Sequence, residues 1–172
     1  MLRYLPVLVA ALASGCAVSP DPTRIERDEL APTGVLRVAV YTGNPVIGSP
    51  DPRRGEPSGP TASLGKALGV DAGLPVQLIA YADESKMLAD APQDRWDVAA
   101  LACEPERALE YARPHLLAGA RGSAGVPICL AVPAGRREAL DYVTGFVLRA
   151  KAQGLVARAI AESGLTGARV AP

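Results

Sequence analysis

Four short runs of apolar residues set the main limit on how this chain folds: 35–41, 76–81, 96–102 and 126–132. Each is too short for a stable helix and rich in β-branched or other strand-favouring side chains, so each is expected to be a strand. The last two are apolar nearly throughout, the pattern of a strand covered on both faces of a sheet. Between and after them lie helical patterns. Thr61 to Gly69 offers a capping hydroxyl, an apolar stripe at Leu64, Ala67 and Leu68, and a stopping Gly. Glu84 to Ala89 reads as a short helix, and Glu104 to Tyr111 as another, with Pro105 in its first turn, where a missing N–H costs nothing. Arg136 to Gln153 repeats apolar residues at 139, 140, 143, 146, 147 and 150, a period near 3.6, and Leu155 to Glu162 adds a last helical piece beyond Gly154. This alternation predicts an α/β domain: a mainly parallel sheet flanked by helices, closed by C-terminal helices. In such sheets ligands sit beyond the carboxyl ends of the strands, which here means 41–45, 81–83 and 102–107.

Composition narrows the function. The 18 basic and 18 acidic side chains cancel, so no basic face is expected to engage nucleic acid. His115 is the only histidine, which excludes a multi-histidine metal site. No phosphate-cradling Gly loop, dinucleotide fingerprint or metal-ligand spacing occurs, and no cofactor is expected. His115 lies near no Gly-x-Ser-x-Gly elbow, and Cys103 beside Glu104 forms no nucleophile motif, so no enzyme is expected. The acidic residues Asp83, Glu84, Asp90, Asp94 and Asp97 read as a solvated helix and turn face.

Residues 1–15 carry Arg3 and an apolar stretch from Leu5 to Ala13, shorter than the roughly 20 residues that span a bilayer. Closing on small residues, this reads as an export signal. The sequence Ala13-Ser14-Gly15-Cys16 resembles the bacterial lipoprotein box, with Ala13 where Leu is usual, which implies acylation of Cys16, a membrane lipid anchor and a periplasmic location; the alternative is an ordinary cleaved signal with an incidental Cys. Residues 16–33, with Pro20, Pro22 and Pro32, read as a flexible tether. In an oxidising compartment Cys103 and Cys129 either pair or remain two small buried hydrophobes.

Five segments in order carry a wider resemblance. They are Gly34-Val35-Leu36-Arg37-Val38-Ala39-Val40, the helix-opening stretch from Gly59 to Leu68, Trp96-Asp97-Val98-Ala99-Ala100-Leu101, Glu104-Pro105-Glu106-Arg107 followed by Tyr111 and Pro114, and the stretch from Ala131 through the long helix to Pro172. The chain is similar to the extracytoplasmic solute-binding proteins of ABC importers, bacterial family 3, the polar-amino-acid group. The resemblance implies a periplasmic-binding-protein-like fold and capture of a small, amino-acid-like solute for an ABC permease. It also implies that Arg107 clamps the solute's carboxylate. That suits a helix start, where a bound carboxylate meets both the guanidinium and the helix N–H groups. The local alternative is pairing of Arg107 with Glu104 and Glu106 on the surface.

The departures are as informative. Family members close two lobes on the solute, yet only 13 residues, His115 to Pro127, separate Pro114 from the returning strand. A βαβ unit needs about 30, so a single lobe is expected over 34–172, with 115–127 standing in for the second. The family's helix Asp is Ser63 here, its preceding aromatic is Pro60, and the positions of its threonines are Ala102 and Glu104. Arg107, Asn44, Tyr41, Glu104 and Ala102 are therefore the expected ligand-binding set. Asn44 before Pro45 also reads as a turn residue, and Tyr41 at a strand end as half-buried packing. Trp96 is expected to pack between helix and sheet. With one wall missing, solute binding is expected to be weak. The alternative function is a periplasmic protein-interaction module with no transport role, using the surface that the absent lobe leaves bare.

Overall fold

In the computed structural model the described residues are 21–53, 55–104, 109–119 and 123–172. Strands β1 (Leu36–Tyr41), β4 (Val76–Tyr81) and β5 (Val98–Ala102) form the parallel half of the main sheet, with β1 between the other two. Alternation along β1 and β5 divides two apolar layers. Val38, Val40, Val98 and Ala100 belong to one, Ala39, Ala99 and Leu101 to the other, and all are fully buried. Burial on both faces is why these strands read as continuous apolar runs.

The larger layer is covered by α2 (Pro60–Ala72), α4 (Arg137–Ala152) and α5 (Leu155–Glu162). Gly65 lets α2 close on β1, since a Cβ there would come within 2.7 Å of the Val38 side chain. The smaller layer is covered by α3 (Glu84–Asp90), whose amides at Ser85 and Lys86 are capped by the Asp83 carboxylate. Trp96 lies fully buried here, its indole N–H donating 2.8 Å to the Met87 carbonyl, so it packs between helix and sheet.

The other half of the sheet differs from expectation. Strands β6 (Leu109–Ala118), β7 (Val126–Pro133) and β8 (Ala168–Val170) continue the sheet in the order β4-β1-β5-β7-β6-β8. The β5–β7, β6–β7 and β6–β8 pairings are all antiparallel. The lobe is α/β as expected, but its pairing is mixed, not mainly parallel. The helix expected over Glu104 to Tyr111 is corrected over its last residues. Leu109, Glu110 and Tyr111 pair with Pro133, Val132 and Ala131, so the ladder to β7 overrides the local pattern. His115 to Ala118 and Val126 to Pro127 are strand as well, which leaves only 119–125 between β6 and β7. A two-stranded ribbon, β2 (Ser49–Pro50) with β3 (Pro57–Ser58), lies within the expected loop at 42–60.

The expected tether is corrected too. Its second half forms α1 (Arg24–Leu30), opened by a reciprocal cap between Thr23 and Glu26. Leu30 is fully buried in the larger layer. The Glu29 carboxylate accepts from the amides of Glu138 (2.8 Å) and Ala139 (3.2 Å), capping α4 with a side chain from another helix. Leu30→Ala is expected to lower the unfolding free energy by about 2–5 kcal/mol, read by urea titration. A loss under about 0.5 kcal/mol would mean that α1 is a loose appendage.

Candidate functional site

The parallel half of the sheet brings three strand ends to one edge. Tyr41 pairs with Tyr81 across β1 and β4. The next residue, Thr42, donates its amide (2.8 Å) and its hydroxyl (3.1 Å) to the Tyr81 carbonyl. On the other side β1 pairs with β5 through Val38–Val98 and Ala39–Ala99. Continued, that register sets Thr42 level with Ala102. The edge thus carries Tyr41 and Ala102 of the expected set at strand ends, with Glu104 two residues beyond Ala102 and Asp83 two beyond Tyr81. Arg107 lies outside the described residues, as does Cys16.

Each residue's surroundings bear on its role. Tyr41 is half-buried and touches both apolar layers. Its ring folds back over Gly43, where any Cβ would collide with it. Asn44 is a turn residue: its side-chain oxygen accepts from Val46 N (3.1 Å) and its carbonyl from Ile47 N and Gly48 N (2.9 Å each). Glu104 is exposed. Cys103 and Cys129 are bonded, with Cα atoms 5.3 Å apart, and Cys103 N donates 3.0 Å to Pro127 O. The end of β5, and with it the start of the 104–107 segment, is therefore pinned to β7.

The strongest electrostatic cluster lies at the opposite, amino end of the strands. Asp97, just before β5, is fully buried and takes two guanidinium groups. Arg37 reaches it through Nη2 (2.7 Å) and Nε (2.9 Å), and the Arg37 amide donates 2.9 Å as well. Arg136 donates to it at 2.8 Å and to Asp94 at 2.6 Å. The Asp97 hydrogen bond raises the pKa of Arg37 further above its already high value. This cluster joins β1, β5 and the start of α4, so the Asp of the Trp-Asp segment is a framework group, remote from the strand ends. Elsewhere, burial and a hydrogen bond to Asp90 push Tyr81 up to about 12, so its hydroxyl stays protonated at neutral pH.

One feature of the surface escaped sequence reasoning. A cleft of about 500 Å³ opens between the β2–β3 ribbon, the start of α2 and the end of α5. It is lined by Ser49, Ser58, Ser63, Glu162 and Ser163, and shares Pro45 with the Asn44 turn. Isolated serines spread over 115 residues give no periodic or motif signal. Among the described residues no group of His, Cys, Asp and Glu is placed to hold a metal ion, and no helix is long and apolar enough to cross a membrane.

No protein-family model matches the chain, and no characterised protein matches it in sequence. Solved structures match its fold. The arginine-bound form of domain 1 from TmArgBP superposes with a TM-score of 0.61 at 17% identity, over 71% of this chain and 98% of that one. The VFT2 domain of Bordetella pertussis BvgS gives 0.65 at 15% identity, over 83% and 99%. The ancestral amino-acid-binding protein AncCDT-1, a precursor of cyclohexadienyl dehydratase, gives 0.64 at 14%, over 79% and 97%. The chain has the fold of a single periplasmic-binding-protein-like lobe. Two of these neighbours are amino-acid binders by name, one of them an enzyme's precursor, and a histidine kinase sensor domain with similarity to periplasmic binding proteins also matches, with a TM-score of 0.62 at 15% identity over 74% of this chain and 95% of that one.

Proposed function

We propose that this chain is an exported, lipid-anchored lobe that binds a small amino-acid-like solute for ABC-type import. The solute would rest at the carboxyl ends of β1, β4 and β5, its carboxylate on Arg107, with Tyr41 and Asn44 across the cleft and Ala102 and Glu104 alongside. The observation that carries this reading is the likeness to domain 1 of TmArgBP, which is arginine-bound as a separate domain and is matched over 98% of its length. A single domain of this fold is thus recorded in an arginine-bound form. The disulfide supports the reading by fixing the residue that leads into the 104–107 segment. A single wall buries little of a ligand, so affinity is expected to be weak, roughly millimolar.

Calorimetry of the mature chain with a panel of amino acids tests the proposal. The expected result is saturable binding of at least one of them, weakened about 10- to 100-fold in Arg107→Ala, the effect of losing a charge-assisted hydrogen bond. No heat from any amino acid at millimolar concentration, or equal binding by Arg107→Ala, would refute it.

A further inference from the structure

His115 stands apart from everything above. Its pairing neighbours on β6 are irregular: the register to β7 shifts on both sides of Pro114, and the resulting bulge leaves two successive residues, His115 and Leu116, both buried. The imidazole is fully enclosed, and neither ring nitrogen has a hydrogen-bond partner among the described residues. An enclosed polar ring with no partner is costly to keep and rare enough to ask for a reason.

The backbone at this position is held by a short clasp. Strand β8 pairs with β6 through Val170–Leu116, Arg169–Leu117 and Ala168–Ala118. Ala171 N donates 3.1 Å to the His115 carbonyl. The Lys151 ammonium of α4 bridges the Pro114 carbonyl (3.4 Å) and a Pro172 oxygen (2.5 Å). Besides Lys151, α4 carries Arg137, Glu138, Asp141 and Arg149, and β6 carries Glu110 and Arg113. Lys151 comes from α4, and its like charge opposes a proton on the ring. Arg169 of β8 is engaged with the Ser123 and Ala124 carbonyls. Arg113 on β6 itself is exposed, and β7 offers no titrating group because Cys129 is in the disulfide. No side-chain carboxylate on these elements is seen to bond the ring.

We propose that His115 makes the C-terminal clasp acid-releasable: protonation of the ring favours a state in which β8 and residues 171–172 lift off β6 and the Lys151 bridge opens. Water can reach the ring only if something moves, and a three-residue edge strand is the cheapest element to move. Burial, then Lys151, holds the ring's pKa down at about 3 in the closed state, against 6.5 in water. The closed state therefore binds fewer protons across the window from 6.5 to about 3. Its advantage is complete above 6.5 and shrinks as pH falls through that window. Between pH 7 and 5 the opening equilibrium is expected to rise about 25-fold.

Hydrogen exchange at pH 7 and pH 5, corrected for intrinsic rates, reads the clasp directly. Protection at 116–118 and 168–171 is expected to fall about 25-fold, while that of β1 and β4 holds. In His115→Gln, which cannot titrate, the pH dependence should vanish. His115→Phe is the second variant if Gln is poorly tolerated. Because the chain has one histidine, its imidazole proton signal titrates without overlap and reports the ring's state in the same samples. Uniform loss of protection across the sheet, unchanged protection at β8, a ring titrating near 6.5 with the clasp closed, or an unaltered pH response in His115→Gln would each overturn the proposal.

Discussion

Replacing Asp97 with Ala is expected to remove about 3–5 kcal/mol of unfolding free energy, a large share of what a domain of this size possesses. The reason is what the substitution leaves behind. Arg37 and Arg136 keep only 16% and 11% of their side chains in contact with solvent. Both would face each other across the vacated carboxylate site, stripped of their buried counter-charge. Arg136 would retain Asp94, which is itself 71% exposed and so a weak substitute. Urea denaturation at neutral pH measures the loss. A second substitution, Arg136→Met in the Asp97→Ala background, should restore part of it by taking away one of the stranded cations. An Asp97→Ala protein within about 1 kcal/mol of the parent would show that the cluster contributes little net energy, the outcome seen when desolvation cancels attraction.

Loss of the disulfide is the second large effect. The bond closes a segment with a sequence separation of 26, which contains β6 and the connection to β7. Untying it frees the unfolded chain by about 3–4 kcal/mol on the loop-entropy argument. For a domain of this length that corresponds to a drop of roughly 10 °C in Tm. Cys103→Ala with Cys129→Ala is expected to show this drop, and a reductant should lower the parent to the same level while leaving the double variant unmoved. If the reductant shifts both proteins equally, or neither, the bond does not carry the stability of this half of the sheet.

Much of this architecture was legible because its elements obey one period each. The strand at 76–81 and the helix at 155–162 have the limits expected of them, and the helix at 137–152 lies within one residue of expectation at each end. What was hidden follows from forces that act between segments. Residues 24–30 are Arg-Ile-Glu-Arg-Asp-Glu-Leu, which looks like a solvated tether, because only Leu30 is buried and the rest of the helix is held by its cap and by Glu29 on α4. Leu109 to Tyr111 carry a helical pattern but meet an open edge of β7, and ladder hydrogen bonds decide the matter. Strand direction leaves no mark in a buried apolar run, so the mixed pairing was not visible. Tyr41 and Ala102 end their strands as the apolar runs suggest, because those runs set where β1 and β5 stop. The buried Asp97 looked like part of an acidic surface, since sequence distance conceals Arg37 and Arg136.

The way Glu29 and Arg136 fasten α1 to the start of α4 has a mechanical side. Arg136 donates to the Glu29 carbonyl (3.4 Å) while the Glu29 carboxylate holds two amides of α4. Tension entering from residues ahead of Thr23 runs along α1 before it reaches β1. It loads these polar contacts and the seat of Leu30 in shear. A pull applied ahead of Thr23 would therefore load the first helix before the sheet behind it.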